Sequence, residues 1–175
     1  MLATLAFAGL RLGELLALRW CDVDLSAARI AVRDSKTRAG IRHVQMVAPL
    51  RDELVELKAS VRRTEPDDLV FSTAARRTED NPTREPRAHA QSNIRMRVLA
   101  PAIKRANEHR AKLGEVPLPE GLSPHKLRHT AISAWLPVGY EIPRVKKMAG
   151  HATAHVTLNI YAHVTDVLDD AARDE

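Results

Sequence analysis

Ala28-Arg29-Ile30-Ala31-Val32-Arg33-Asp34, followed by Ser35-Lys36-Thr37-Arg38-Ala39-Gly40 and then Ile41-Arg42-His43-Val44-Gln45-Met46-Val47-Ala48, is the stretch on which the fold turns. Apolar residues alternate on both sides of a polar segment. Ile30 and Val32 face one way, and Val44 and Met46 match them across the turn, which is the period-two signature of paired strands. The stretch reads as a β-hairpin, residues 28–34 and 41–48, with a basic tip. Outward from it the period changes to that of helices. Leu2, Leu5, Leu12, Leu15, Leu16 and Leu18 recur at helical spacing, with a break expected at Gly9. Pro49 opens a helix through about Arg63, striped by Leu50, Leu54, Leu57 and Val61. Leu69-Val70-Phe71 reads as a third strand. Residues 72–93 form a long polar loop with Pro82 and Pro86. A helix over about 91–112 carries Ile94, Val98 and Ile103, with Leu113 just past its end. After a Pro/Gly linker, Ser123-Pro124 caps and starts a helix to about Leu136. Further helices follow over 142–149, stopped by Gly150, and from about Thr153, with Val156, Leu158 and Ile160. The fold class is therefore mainly α with a small antiparallel β-sheet, α+β. Helices and hairpin in this sequential order do not build a parallel sheet.

The whole chain has 175 residues, 45% of them apolar and 3% aromatic. That is one domain with a core of Leu, Val, Ile and Ala, and it is not a disordered composition. The single cysteine, Cys21, excludes an internal disulfide framework and a Cys-rich zinc site, and points to a reducing compartment. The apolar start ends at Arg11, too short for a membrane span and without the basic opening of a signal peptide. The net charge of +5 and pI near 9.7 suit an anionic partner. The charge lies in blocks. Residues 31–51 set five basic residues against Asp34, and basic excess recurs over 76–112 and 124–151. The tail 164–175 sets five carboxylates against Arg173. Three basic blocks favour a polyanion groove over a merely solvated surface.

Several positions carry chemistry only in combination. Singly, Arg11 is a snorkelling side chain paired to Glu14, Lys36 a solvated turn lysine, His125 and Arg128 surface neighbours at i,i+3, His151 a helix terminator and Tyr161 an edge-of-core phenol. Together they supply phosphoryl transfer to a tyrosine. Two guanidinium forks, Arg11 and Arg128, neutralise the non-bridging oxygens of a phosphodiester. His125 accepts the proton of the phenol, whose unperturbed pKa is about 10. Lys36 protonates the leaving oxygen, His151 donates to the phosphate, and Glu14 orients Arg11 or His125.

These residues stand in recognisable strings. Gly9-Leu10-Arg11-Leu12-Gly13-Glu14 runs on to Asp22-Val23-Asp24; Ser35-Lys36-Thr37 is followed by Arg42-His43-Val44; then come His125 to Arg128 with His129-Thr130, Gly150-His151, and Tyr161 ten residues later. In this order and spacing, from about residue 5 to 163, the chain resembles the catalytic domain of the tyrosine recombinases of the phage-integrase family. The resemblance implies Arg11, Lys36, His125, Arg128 and His151 around the phosphate and Tyr161 as nucleophile. It implies strand cleavage through a 3′-phosphotyrosine with no metal or ATP, so no cofactor, and double-stranded DNA as partner. It also implies a tetrameric synapse on DNA through the acidic tail, with its apolar Val164, Val167 and Leu168, and a cytoplasmic, nucleoid-associated setting in bacteria or phage. Residues 1–175 are then a single catalytic domain, expected to lack the family's N-terminal DNA clamp and to start within its first helix. Arg38, Arg42, Arg95, Arg97 and Lys126 are the expected DNA contacts, anchoring phosphates rather than reading bases.

Two other activities use the same residues: a type IB topoisomerase, and a DNA-binding module without activity. A metal site belongs to another class. His125/His129 and His151/His155 are His-x-x-x-His pairs, which place two imidazoles on one helical face. No glutamate follows the first histidine of either, so the zinc-protease pattern is missing and no metal ligand is assigned.

Overall fold

Gly9 divides the first apolar run as its conformation requires. In the computed structural model, which describes residues 1–33, 40–73 and 88–162, helix α1 (Leu2–Ala8) ends on Gly9 at φ 60°, a left-handed cap. Helix α2 (Leu12–Ala17) starts after Arg11, whose extended backbone (φ −67°, ψ 150°) interrupts the helix. Strands β1 (Val23–Asp24), β2 (Arg29–Val32) and β3 (Arg42–Gln45) form an antiparallel sheet in that order. Ile30 pairs with Val44 and Val32 with Arg42, so the hairpin register follows from the alternation. Ile30 and Val44 are fully buried, in one core cluster with Leu50 and Leu54 of helix α3 (Ala48–Ser60), which packs against α1.

The third strand is not the one expected. Leu69-Val70-Phe71 makes only an isolated bridge, Leu69 to Arg19. The Val70 amide donates to the Leu18 carbonyl and the Trp20 amide to that of Asp68, so the segment lies along the exit of α2 rather than in the sheet. The sheet's third member is the two-residue β1, too short for an alternating pattern to reveal.

Beyond the polar loop, residues 74–87 of which lie outside the described residues, a continuous helix runs over 91–112 in three parts. These are α4 (Gln91–Asn93), a π-wound segment (Ile94–Leu99) and α5 (Ala100–Lys112). Pro101 explains the π winding. It has no amide hydrogen for the ladder, and its ring would strike the preceding turn of an α-helix. The wider turn moves the second buried position from Val98 to Leu99, five residues after Ile94 instead of four.

Helices α6 (Pro124–Trp135), α7 (Ile142–Ala149) and α8 (residues 154–162) close the fold. Ser123 caps α6, accepting from the Lys126 amide at 3.2 Å. In α8 the buried stripe is Thr157 and Ile160; Val156 and Leu158 are exposed, contrary to the apolar pattern. The core has two parts. One joins α1, α2, the sheet and α3; the other joins α6, α7 and Ile160 of α8. They meet where α1 packs on α6. A Cβ at Gly9 would stand 3.0 Å from the Trp135 ring and 3.3 Å from Ala131, so this contact needs glycine for closeness as well as for φ.

Candidate active site

The seam between the two core halves opens into a hollow of about 620 Å³, lined by Arg11, Gln91, His125, Arg128, His151 and Val156 among others. Four stretches distant in sequence supply those six side chains, and of the expected set Arg11, His125, Arg128 and His151 meet there. Arg11 is the N-cap residue of α2. Its amide donates to Glu14 Oε2 and its guanidinium to Glu14 Oε1, both at 2.8 Å. Glu14 is buried; the Arg128 guanidinium lies 4.0 Å from its Oε2, and its other hydrogen-bond partner is Arg42. That guanidinium reaches Glu14 Oε1 and Oε2, both at 3.0 Å, from strand β3. One carboxylate thus holds two arginines. Burial alone would raise the pKa of Glu14. The hydrogen bond and charge of Arg42, then the bonds from Arg11, outweigh it and hold the carboxyl below its usual range.

Arg42 corrects one expectation. It was read as a DNA contact, but its side chain is only 1% exposed. Besides Glu14, it donates to the Gly40 carbonyl at 2.8 Å and the Met148 carbonyl at 2.6 Å. Its charge is used inside the fold. The alternation of β3 puts it on the inward face with Val44, opposite Val32. What the local sequence does not disclose is the partners that let a charge sit there, Glu14 and Met148, 28 and 106 residues away.

The C-terminal end of α7 gathers the other arginines. A helix leaves its last carbonyls without partners and carries partial negative charge there. Here three consecutive carbonyls each accept from a different arginine: Met148 from Arg42, Ala149 from Arg128, and Gly150 from Arg11 at 2.6 Å. Arg128 also donates to the Gly9 carbonyl, tying α6 to the α1–α2 junction. Its guanidinium is nearly buried, and burial, then the charges of Arg42 and Arg11, lower its pKa to about 10. It remains a cation at neutral pH. Arg11 and Arg128 have each committed two of five N–H groups to these bonds, leaving donors for a ligand in the hollow.

The histidines occupy the same space. Gly150, at φ 67°, turns the chain so that His151 enters the hollow. Burial first, then Arg128, Arg11, His129 and Arg42, lower the His151 pKa to about 4, so its ring is neutral at physiological pH. Its Nδ1 lies 2.9 Å from Thr157 Oγ1. His125 is exposed at the rim, with Nε2 2.7 Å from His129 Nε2. Burial and the charges of His125 and Arg128 push the His129 pKa down. The His-x-x-x-His pair therefore meets itself. Among the described residues no group of three His, Cys, Asp or Glu side chains is placed to hold a metal.

Tyr161 lies on α8, one turn beyond Thr157, and is 42% exposed; it is not among the residues lining the hollow. Lys36 and Arg38 lie outside the described residues, as does the tail 164–175. Arg95, Arg97 and Lys126 are exposed. Gln91, at the start of α4, lines the hollow and was missed; a lone glutamine after a polar loop carries no signal.

Arginines and histidines gathered at one helix end on an α+β scaffold form a pocket suited to an anion. The chain belongs to the phage integrase family, whose model matches residues 1–167. It is 26% identical over 166 residues to a tyrosine recombinase of Thermosipho africanus (strain TCF52B), covering 94% of this chain and 49% of that one. It is 28% identical over 187 residues to prophage integrase IntR of Escherichia coli (strain K12), covering 94% and 42%. The crystal structure of XerA recombinase superposes with a TM-score of 0.65 at 25% identity, over 98% of this chain and 55% of that chain. The Tn1549 transposon integrase in complex with transposon right end DNA gives 0.70 at 18% identity, over 98% and 57%. The fold is that of tyrosine recombinase catalytic domains. The chain spans about half the length of the curated relatives it matches. Among the described residues no helix is long and apolar enough to cross a membrane.

Proposed function

We propose that this chain is the catalytic domain of a site-specific DNA recombinase. Double-stranded DNA is its substrate, and a scissile phosphate occupies the arginine-lined hollow. Tyr161 Oη attacks phosphorus, the bond to the 5′ oxygen breaks, and a 3′-phosphotyrosine forms. His125 takes the phenol proton and Lys36 returns one to the leaving oxygen. Arg11 and Arg128 neutralise the charge that builds on the non-bridging oxygens, and His151 adds a donor. Two guanidiniums supply the cationic charge a metal would otherwise bring, and the phosphotyrosine conserves the bond energy for religation, so the reaction needs neither metal nor ATP.

The observation that carries this reading is the meeting of Arg11, Arg128, His125 and His151 in one hollow, with α8, the helix of Tyr161, hydrogen-bonded to His151 through Thr157. The Tn1549 integrase neighbour is solved on DNA, and exposed Arg95, Arg97 and Lys126 are suited to hold the same partner's backbone. Arg38, on the expected hairpin tip, belongs with them. The acidic tail 164–175 docks on a neighbouring copy in a tetrameric synapse, in a bacterial or phage-infected cytoplasm at the nucleoid. Incubation with a nicked suicide duplex tests the proposal. A covalent protein–DNA adduct is expected, absent in Tyr161→Phe and unaffected by EDTA. Folded protein that gives no adduct on any recombination-site duplex refutes it.

A further inference from the structure

If the hollow holds a phosphate, His151 must present a particular ring nitrogen to it. A neutral imidazole has one N–H and one bare lone pair, and a lone pair aimed at an anion repels it. His151 is 8% exposed, and its Nδ1 faces Thr157 Oγ1 at 2.9 Å. Thr157 is fully buried. Nε2 is therefore the nitrogen left for the hollow that His151 lines. Were the Thr157 hydroxyl to accept from Nδ1–H, Nε2 would be bare. Only donation from the hydroxyl to Nδ1 leaves the proton where an anion needs it. We propose that Thr157 is a positioning residue: its hydroxyl donates to His151 Nδ1 and holds the ring as the Nε2–H tautomer, with that N–H serving the phosphate in the hollow.

The placement links two parts of the reaction. Thr157 and Tyr161 are four residues apart on α8, one turn and about 6 Å along the axis. The helix that carries the nucleophile thus also selects the proton position of the phosphate donor, and seating α8 sets both.

The inference rests on the recombinase reading, but the tautomer is measurable without DNA. Two-bond nitrogen–proton correlation spectra of the ¹⁵N-labelled full chain at neutral pH distinguish Nδ1–H from Nε2–H, with His151→Gln identifying the signals. The wild type should show His151 as Nε2–H alone. Thr157→Val should mix the tautomers, and Thr157→Ser should restore the single form. On the suicide duplex, Thr157→Val should slow single-turnover adduct formation about 10-fold, with DNA affinity within about twofold of wild type, and Ser should recover most of the rate. An Nδ1–H tautomer in the wild type overturns the proposal, as does an unchanged tautomer in the valine variant or a serine variant that fails to restore it. Should the valine variant not fold, the wild-type and serine spectra still decide. Absence of any adduct in the wild type would sink the recombinase reading while leaving the tautomer result standing.

Discussion

Replacing Arg42 with methionine keeps an unbranched stem about as far as Nε and removes the charge and the donors. Four hydrogen bonds disappear: two to Glu14, one to the Gly40 carbonyl and one to the Met148 carbonyl. The guanidinium and the carboxylate it meets are 1% and 5% exposed, so water does not replace what is lost. Glu14 keeps its two bonds from Arg11 and the buried Arg128 guanidinium at 4.0 Å, but loses the buried countercharge that bonds both its oxygens. Breaking one side of a buried pair costs about 3–5 kcal/mol. That is a large share of the roughly 5–15 kcal/mol that holds a domain folded. With a urea m-value of about 2 kcal/mol/M, the unfolding midpoint should fall by roughly 1.5–2.5 M. Arg42→Lys keeps the charge without the fork and should lose less. The pairwise nature of the effect is checked by a cycle with Glu14→Gln. Once Glu14 is neutral, losing Arg42 should cost about 1–2 kcal/mol less than in the wild type. A midpoint within about 0.3 M of wild type for Arg42→Met would refute the reasoning, as would strict additivity in the cycle.

Gly150→Ala should destabilise the fold by about 1–3 kcal/mol and suppress adduct formation. The position has φ 67°, and a Cβ there would stand 2.9 Å from the Arg42 guanidinium nitrogen and 3.2 Å from the Gly40 Cα; thermal denaturation measures the first effect and the suicide duplex the second. Stability should also fall on acidification in two stages. The unfolded chain protonates His151 near 6.5 and the folded chain only near 4, so stability is full above pH 6.5 and declines as pH falls toward 4. Glu14, held below its usual 4.5, adds stability that is present above pH 4.5 and lost below it. Urea midpoints of His151→Gln and wild type should therefore converge as pH drops from 7 to 5; parallel curves would contradict the buried neutral ring.

Reading order, rather than difficulty, separates what the chain disclosed from what it withheld. Arg11, His125, Arg128 and His151, which share the hollow, stand in short strings whose local spacing is informative. Tyr161 stands in such a string too but lies off the hollow, and the hairpin followed from the alternation of Ile30, Val32, Val44 and Met46. Arg42 was misplaced because burial of a charge depends on a remote partner, and Glu14 and Met148 are far along the chain. Leu69-Val70-Phe71 is apolar for the core, and that is all its composition records; its backbone bonds go to the exit of α2. Val98 yielded to Leu99 because Pro101, the eleventh residue of its helix, changes the winding period. In α8, Thr157 is buried where Val156 and Leu158 are not: it shares the inward face with Ile160 and meets His151, a partner the apolar pattern does not record.

Three arginines from β3, α6 and the α1–α2 junction take Met148, Ala149 and Gly150 in succession. Any rearrangement that slides this segment by a single peptide would strip all of them at once, so intermediate arrangements have little to hold them. Chimeras built from related recombinases should tolerate crossover points in the exposed linkers. A junction that parts residues 148–150 from any of their three suppliers should produce protein that folds poorly and cuts nothing.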